Sequence, residues 1–335
     1  MQKKPVVRIY GTIGPACSDT EILKQMFREG MDGVRLNLSH TSLEDAADLI
    51  GSFHKAAREC GKTPELLIDM QGPELRVGDF REPMRLTEGE AVATGEIPFP
   101  DTVIKVLNDS APGQEILLDD GKILLKSEYS PHGIVLRVVR GGLLESRKSV
   151  ALPGHIIHTP AMTEKDRQQI LRAKEFGVTA VMQPFVRSKE DLIEVRDALD
   201  ASGCGDIRLI AKIENRAGID RLEELIPYCD EIVIARGDLG NAMDLWELPA
   251  AQKHISAMCR KAGRDFMVVT QMLESMTHRQ VPTRAEVSDI FNAVMDGASS
   301  VMVTGETAAG EYPALVIRYL YKTVRGAEAY RDSVG

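Results

Sequence analysis

The chain is poor in aromatic residues, at 5%, and has a single tryptophan. It also lacks the features that would set it apart from ordinary globular proteins. No stretch approaches the ~18 consecutive apolar residues of a membrane span, which excludes a transmembrane helix. The N-terminal MQKKPVVRIYGTIGP has neither the apolar core nor the cleavage site of a signal peptide. Cysteine is scarce: Cys17, Cys60, Cys204, Cys229 and Cys259 are odd in number and scattered, with no CxxC pair. That pattern fits free thiols in a reducing, cytoplasmic compartment. Positive charge is not in excess, with 41 Lys and Arg against 50 Asp and Glu and a net charge of −9. Bulk attraction to nucleic acid or to an anionic membrane is therefore not expected, although a local basic pocket for a small anion stays open. Low-complexity sequence is missing too. A composition of 43% hydrophobic and 27% charged residues excludes disorder and collagen. The 335 residues suffice for a buried core and for one large domain or two smaller ones.

What is present is a repeat of short apolar, β-branched runs: 6–13, 32–39, 65–70, 179–185, 207–214, 231–237, 265–271 and 299–306. They lack polar alternation, as expected for parallel strands buried on both faces. Helical patterns follow, opened by Ser18-x-x-Glu21, Ser42-x-x-Asp45, Thr163-x-x-Asp166, Ser188-x-x-Asp191 and Thr283-x-x-Glu286. In this spacing the first side chain caps free N–H groups of the opening turn. Glycines at 30, 61, 177, 203, 263 and 297 fit the opposite ends. One interval between strands is about 80 residues too long for a βα unit. The excess, 75–153, is rich in Gly, Pro and β-formers and has no convincing helix. The expected fold is α/β: a (β/α)8 TIM barrel with an inserted small β-barrel domain after strand three. The alternative, an open doubly wound sheet, lacks a GxGxxG after the first strand.

Active sites of such barrels lie at the carboxyl ends of the strands. Strand two ends in Arg35, Asn37 and Ser39, which share one face because side chains alternate along a strand. Strand three ends in Asp69, a residue equally at home as a cap or structural partner. Strand five ends in Lys212 and Glu214, and strand six in Gly237 and Asp238. Two carboxylates on adjacent strands suit a hard cation such as Mg2+, which keeps water and phosphate oxygens in its shell. A buried Lys212–Glu214 ion pair is the alternative. Thr270 ends strand seven, and Thr304, Gly305 and Glu306 end strand eight. The insertion contributes Arg76, Asp119-Asp120-Gly121 and Arg147-Lys148. These residues point to metal-assisted chemistry on a small anion, where positioning and charge neutralisation do most of the work.

The sequence resembles the pyruvate kinase family over nearly its whole length. The resemblance rests on TIGPAC (12–17), GVRLNLSH (33–40), LIDMQGPELR (67–76), LDDG (118–121), LPG (152–154), TEKD (163–166), KIEN (212–215), ARGDLG (235–240), TQMLESM (270–276), PTRAE (282–286) and TGETAAGEYP (304–313). It implies a cytoplasmic, glycolytic phosphotransferase converting phosphoenolpyruvate and ADP into pyruvate and ATP. By the resemblance, Lys212 stabilises the transferred phosphoryl group and Arg35 binds it. Gly237, Asp238 and Thr270 contact the substrate carboxylate, with enolate protonation near Thr270. Glu214 and Asp238 would hold Mg2+ (or Mn2+). Asn37, Ser39, Asp69 and the carbonyl of Met70 would hold K+, with Glu74 the marker of K+ dependence. Arg76, His40 and Lys148 would contact the nucleotide.

The implied domains are a barrel catalytic domain, 1–74 and 154–335, and a β lid, 75–153, somewhat shorter than usual. By the same resemblance, a short form without the family's C-terminal α/β effector domain is expected, which implies a non-allosteric enzyme with hyperbolic kinetics and a possible homodimer. The chain departs from the family pattern at Pro184 (usually Ser), Gln71 (usually Lys), Thr41, Ser149 and Ala151. These departures keep a second reading open: a repurposed homologue using Mg2+-assisted phosphoenolpyruvate or pyruvate enolate chemistry with a different acceptor.

Overall fold

The computed structural model describes residues 6–119, 121–131, 133–155 and 160–334. Contacts divide the chain into two compact units. One comprises Met1–Gly72, Ala161–Arg236 and Pro249–Gly335; the other comprises Pro73–Pro160 and Gly237–Leu248.

The first unit contains eight parallel strands: β1 (Arg8–Thr12), β2 (Gly33–Asn37), β3 (Glu65–Asp69), β4 (Ala180–Gln183), β5 (Arg208–Ile213), β6 (Glu231–Ala235), β7 (Asp265–Val269) and β8 (Ser300–Met302). They pair in chain order, and β8 returns to β1 through Arg8 opposite Ser300, closing the barrel. The TIM barrel expected from the sequence is thus observed, with each strand inside its expected run. Side chains including Tyr10, Leu67, Met182, Val233 and Met267 fill one apolar cluster. Their neighbours in sequence, including Leu66, Val181, Ile232 and Val268, are also buried. Burial on both faces explains the missing polar alternation. Gly33 is required by the close approach of β3, since a Cβ there would lie 2.3 Å from the Glu65 carbonyl oxygen.

Thr163 and Thr283 form reciprocal capping boxes with Asp166 and Glu286, opening helices Glu164–Arg172 and Arg284–Met295. Three other expected caps are corrected, among them Ser42, whose hydroxyl accepts the Asp45 N–H at 3.0 Å in a turn ahead of helix Ala47–Glu59, a helix with no side-chain cap of its own. Helix Thr20–Arg28 is capped by Asp19, not Ser18, because the shorter Asx turn already satisfies the N–H groups of Glu21 and Ile22. Ser188 makes no cap bond; Asp191 instead pairs with Arg187 at 2.8 Å.

At the amino ends of the strands lies a layer of charge. Arg8 contacts Glu65 at 3.4 Å, Glu231 at 3.2 Å and Asp265 at 3.6 Å. Arg208 pairs with Glu65 and, at 3.0 Å, with Glu231. Tyr10 donates to Glu65 at 2.7 Å and Ser300 to Glu231 at 2.5 Å.

In the second unit an antiparallel five-stranded sheet runs Val150–Ala151, Glu115–Leu118, Ile123–Ser130, Gly133–Arg140 and Ala91–Ala93. A separate two-stranded ribbon pairs Met84–Leu86 with Gly142–Leu144. Among the described residues these sheets are open, not the small closed β-barrel expected. A helix, Asp101–Asp109, also stands where none was expected, burying Val103 and Leu107. No helix among the described residues is long and apolar enough to cross a membrane.

Candidate active site

The carboxyl ends of β2, β3 and β5 bring four of the expected residues together. Asn37 and Asp69 are paired positions on β2 and β3. Arg35, one pleat below Asn37, donates Nε–H to Asp69 Oδ2 at 2.8 Å, and its Nη2 lies 2.7 Å from the same oxygen. Lys212 Nζ donates to both Asp69 oxygens at 3.1 Å and lies 2.8 Å from Glu214 Oε1. Both carboxylates are almost fully buried, Asp69 at 2% and Glu214 at 2% exposure. Burial alone would raise the Asp69 carboxyl, but Lys212 and Arg35 outweigh it and hold the group below its ordinary value. Asp69 is therefore the anion that spaces two cations, a role wider than the cap or K+ ligand read from sequence. The Lys212–Glu214 pair is real, and it coexists with the second carboxylate of Asp69.

Glu214 is fixed from the other side. Its Oε2 accepts the backbone N–H of Phe185 at 2.7 Å, which follows Pro184. Among the described residues its Oε1 receives no directed hydrogen bond, and the Lys212 charge lies 2.8 Å away. That leaves acceptor capacity suited to a hard cation. Among the described residues no group of three or more Asp, Glu, His or Cys side chains could hold a metal, so a cation here would rest on one or two carboxylates. Pro184 packs on the backbone at Gly72, where an added Cβ would meet Pro184 Cγ at 2.5 Å. The N–H groups of Gln71 and Gly72 are held by the Asp166 carboxylate at 2.9 and 3.1 Å.

Asn37 Oδ1 accepts the Ser39 N–H at 3.2 Å. Lys165, unassigned from sequence beyond its TEKD motif, reaches the Leu38 carbonyl at 3.3 Å. Met70 is buried and its N–H bonds the Met182 carbonyl at 3.2 Å. His40 is exposed. Gly237 and Asp238 fall in the second unit, on the helix Arg236–Asn241 that continues from β6. Arg76 and Lys148 also belong to that unit. Arg76 pairs with Glu74 at 2.5 Å and donates to the Arg147 carbonyl at 2.8 Å. Lys148 pairs with Asp119 at 3.1 Å and Glu145 at 3.2 Å. Asp120 lies outside the described residues.

Thr270 stands just beyond β7 in a conformation the sequence does not announce. Its φ is +78° and that of Gln271 is +55°. A left-handed backbone at a β-branched residue costs on the order of 1–3 kcal/mol and persists only when neighbours impose it. Arg236 contacts Thr270 itself, while Glu306 and Glu286 hold the segment that follows it. Arg236 donates to the Thr270 carbonyl at 3.2 and 2.6 Å. Glu306, fully buried, accepts from Leu273 N–H at 3.1 Å and Thr304 N–H at 2.6 Å. Glu286 accepts from Ser275 N–H at 2.7 Å.

A closed (β/α)8 barrel with a buried Arg–Asp–Lys–Glu cluster at its strand ends defines a TIM-barrel protein with a charged centre in the usual place for such folds. A family model for the barrel domain of pyruvate kinase matches residues 4–317. A pyruvate kinase of Geobacillus stearothermophilus is 37% identical over 95% of this chain and 56% of its own length. Pyruvate kinases of Clostridium perfringens and Methylorubrum extorquens are 34% and 38% identical, over 99% and 100% of this chain and 72% and 70% of theirs. The chain belongs to the pyruvate kinase family, and it spans little more than half the length of the Geobacillus relative.

Proposed function

We propose that this chain is a phosphotransferase of the pyruvate kinase type, converting phosphoenolpyruvate and ADP into pyruvate and ATP. The observation that carries the reading is Lys212, held between Asp69 and Glu214 with Arg35 beside it at the strand ends. A terminal phosphate oxygen of ADP attacks phosphorus, the bond from phosphorus to the enol oxygen breaks, and the enolate takes a proton at its methylene carbon. Arg35 and Lys212 bring positive charge to the group in transit, already oriented by buried carboxylates. Thr270 faces the protonation step, and Gly237 and Asp238 join it in binding the substrate carboxylate. Arg76, His40 and Lys148 contact the nucleotide. When bound, Mg2+ or Mn2+ held by Glu214 and Asp238, and K+ held by Asn37, Ser39, Asp69 and the Met70 carbonyl, supply positive charge against the substrate's anionic groups. The all-oxygen donor set and the spare acceptor capacity of Glu214 fit such cations. Residues 75–153 act as the lid, and a cytoplasmic location belongs to the same reading.

The test is a coupled assay of pyruvate formed from phosphoenolpyruvate and ADP with Mg2+ and K+. Robust turnover is the expected result. No turnover from folded protein that still binds phosphoenolpyruvate would overturn the assignment and direct the search to another acceptor.

A further inference from the structure

We propose that Arg236 is a positioning residue that holds Thr270 in its strained conformation. The inference rests on the phosphotransferase reading only for what Thr270 does. The clamp itself is geometric. The Arg236 guanidinium donates Nε–H to the carbonyls of Val269 and Thr270 at 3.2 Å, and Nη2–H to the Thr270 carbonyl at 2.6 Å. Nη2 also meets Met272 Sδ at 2.9 Å. The third nitrogen, Nη1, is anchored by Asp289 at 2.6 Å and Gln252 at 3.5 Å. One planar fork thus spans four consecutive residues of the turn, 269–272, from a side chain only 12% exposed.

The carbonyl it grips belongs to the peptide plane between Thr270 and Gln271. That plane's orientation is set by ψ of the first residue and φ of the second. Both residues have positive φ, +78° and +55°, and neither is glycine. Without the fork, the turn is expected to relax toward negative φ and carry the Thr270 hydroxyl away from the reacting atoms. A charge-matched lysine at 236 keeps one contact to Asp289 but cannot bridge the turn with a planar set of donors.

The experiment is a cycle of Arg236→Lys, Gln271→Gly and their combination. Gln271 is exposed, lies outside the proposed binding groups, and glycine accepts positive φ without strain. Arg236→Lys is expected to lower kcat and the exchange of pyruvate methyl protons with D2O about 10²-fold, the usual loss for a misplaced group. KM for phosphoenolpyruvate should move far less. Gln271→Gly should restore part of both rates, and should raise the melting temperature of Arg236→Lys by more than it raises that of the parent. Asp289→Asn, which loosens the anchor alone, should give a milder version of the same pattern.

Equal effects of Gln271→Gly in both backgrounds would overturn the clamp. So would a rate loss in Arg236→Lys that Gln271→Gly leaves untouched. The melting-temperature cycle needs no substrate. An inactive parent protein would therefore defeat the phosphotransferase reading while the cycle still decides the clamp.

Discussion

Asp69 is flanked by Ile68 and Met70, and nothing in that stretch reveals that two cations converge on it. Its place at a strand end was legible; its partners were not, because Arg35 and Lys212 lie 34 and 143 positions away in sequence. The pairing has a pH signature. Lys212 and Arg35 hold the folded carboxyl below its unfolded value against the opposing effect of burial. A depressed carboxylate stabilises the fold above the unfolded value, near pH 4, and that stability is lost as pH falls through the folded value. Wild-type protein is therefore expected to lose stability below about pH 4 more steeply than Asp69→Asn, as read by urea unfolding at several pH values. Lys212→Met is expected to cost at least ~10²–10³-fold in kcat through lost charge stabilisation. The variant should still unfold cooperatively, since Asp69 keeps Arg35 and Glu214 keeps the Phe185 N–H. Near-normal turnover of the folded variant would remove Lys212 from the reaction. Thr270 was the least legible of the site residues. A β-branched residue argues against positive φ, so only the structure reveals it, with the Arg236 guanidinium on the Thr270 carbonyl.

The elements were legible where a local rule had no competitor. Apolar β-branched runs marked every barrel strand, and the Thr163 and Thr283 boxes formed as their spacing implies. Ser18 failed because Asp19 stood next to it with a shorter reach to the same N–H groups. Helix Asp101–Asp109 was missed because its Val103, Ile104 and Val106 look like a strand; Pro100 before it and the Val103–Leu107 spacing carry the helical signal. Among the described residues the insertion's sheets do not close, and nothing local in sequence dictates closure. The Thr163 cap is more than a helix end, because Asp166 within it also holds the N–H groups of Gln71 and Gly72. Thr163→Ala is expected to cost about 1 kcal/mol, a fall in melting temperature of roughly 2–4 °C. Asp166→Ala should cost more, because buried N–H groups are then left unsatisfied. Equal losses in a thermal melt would show that the 71–72 contact adds nothing.

Across the whole barrel, charge is concentrated in two layers with an apolar cluster between them. The upper layer of Arg35, Asp69, Lys212 and Glu214 carries the proposed chemistry. The lower layer of Arg8, Glu65, Arg208, Glu231 and Asp265 draws residues from or next to five strands, and Ser300 on β8 adds a sixth. A network that ties β1, β3, β5, β6, β7 and β8 at one end serves closure of the barrel rather than binding, in keeping with the division of such folds into a stable face and an active face. The two layers should therefore separate by mutation. Glu231 is fully buried and bridges Arg8 and Arg208. Glu231→Ala would leave Arg8 and Arg208 sharing Glu65 alone and the buried Ser300 hydroxyl without its acceptor, an expected loss of roughly 1–3 kcal/mol. Where the variant remains folded, its kcat should match wild type, because the apolar cluster insulates the upper layer. Lys212→Met should do the reverse, losing turnover with a smaller loss of stability. Urea unfolding and kcat measured on both variants at one low temperature give the comparison. If folded Glu231→Ala lost turnover as severely as Lys212→Met, the lower layer would be part of the catalytic machinery.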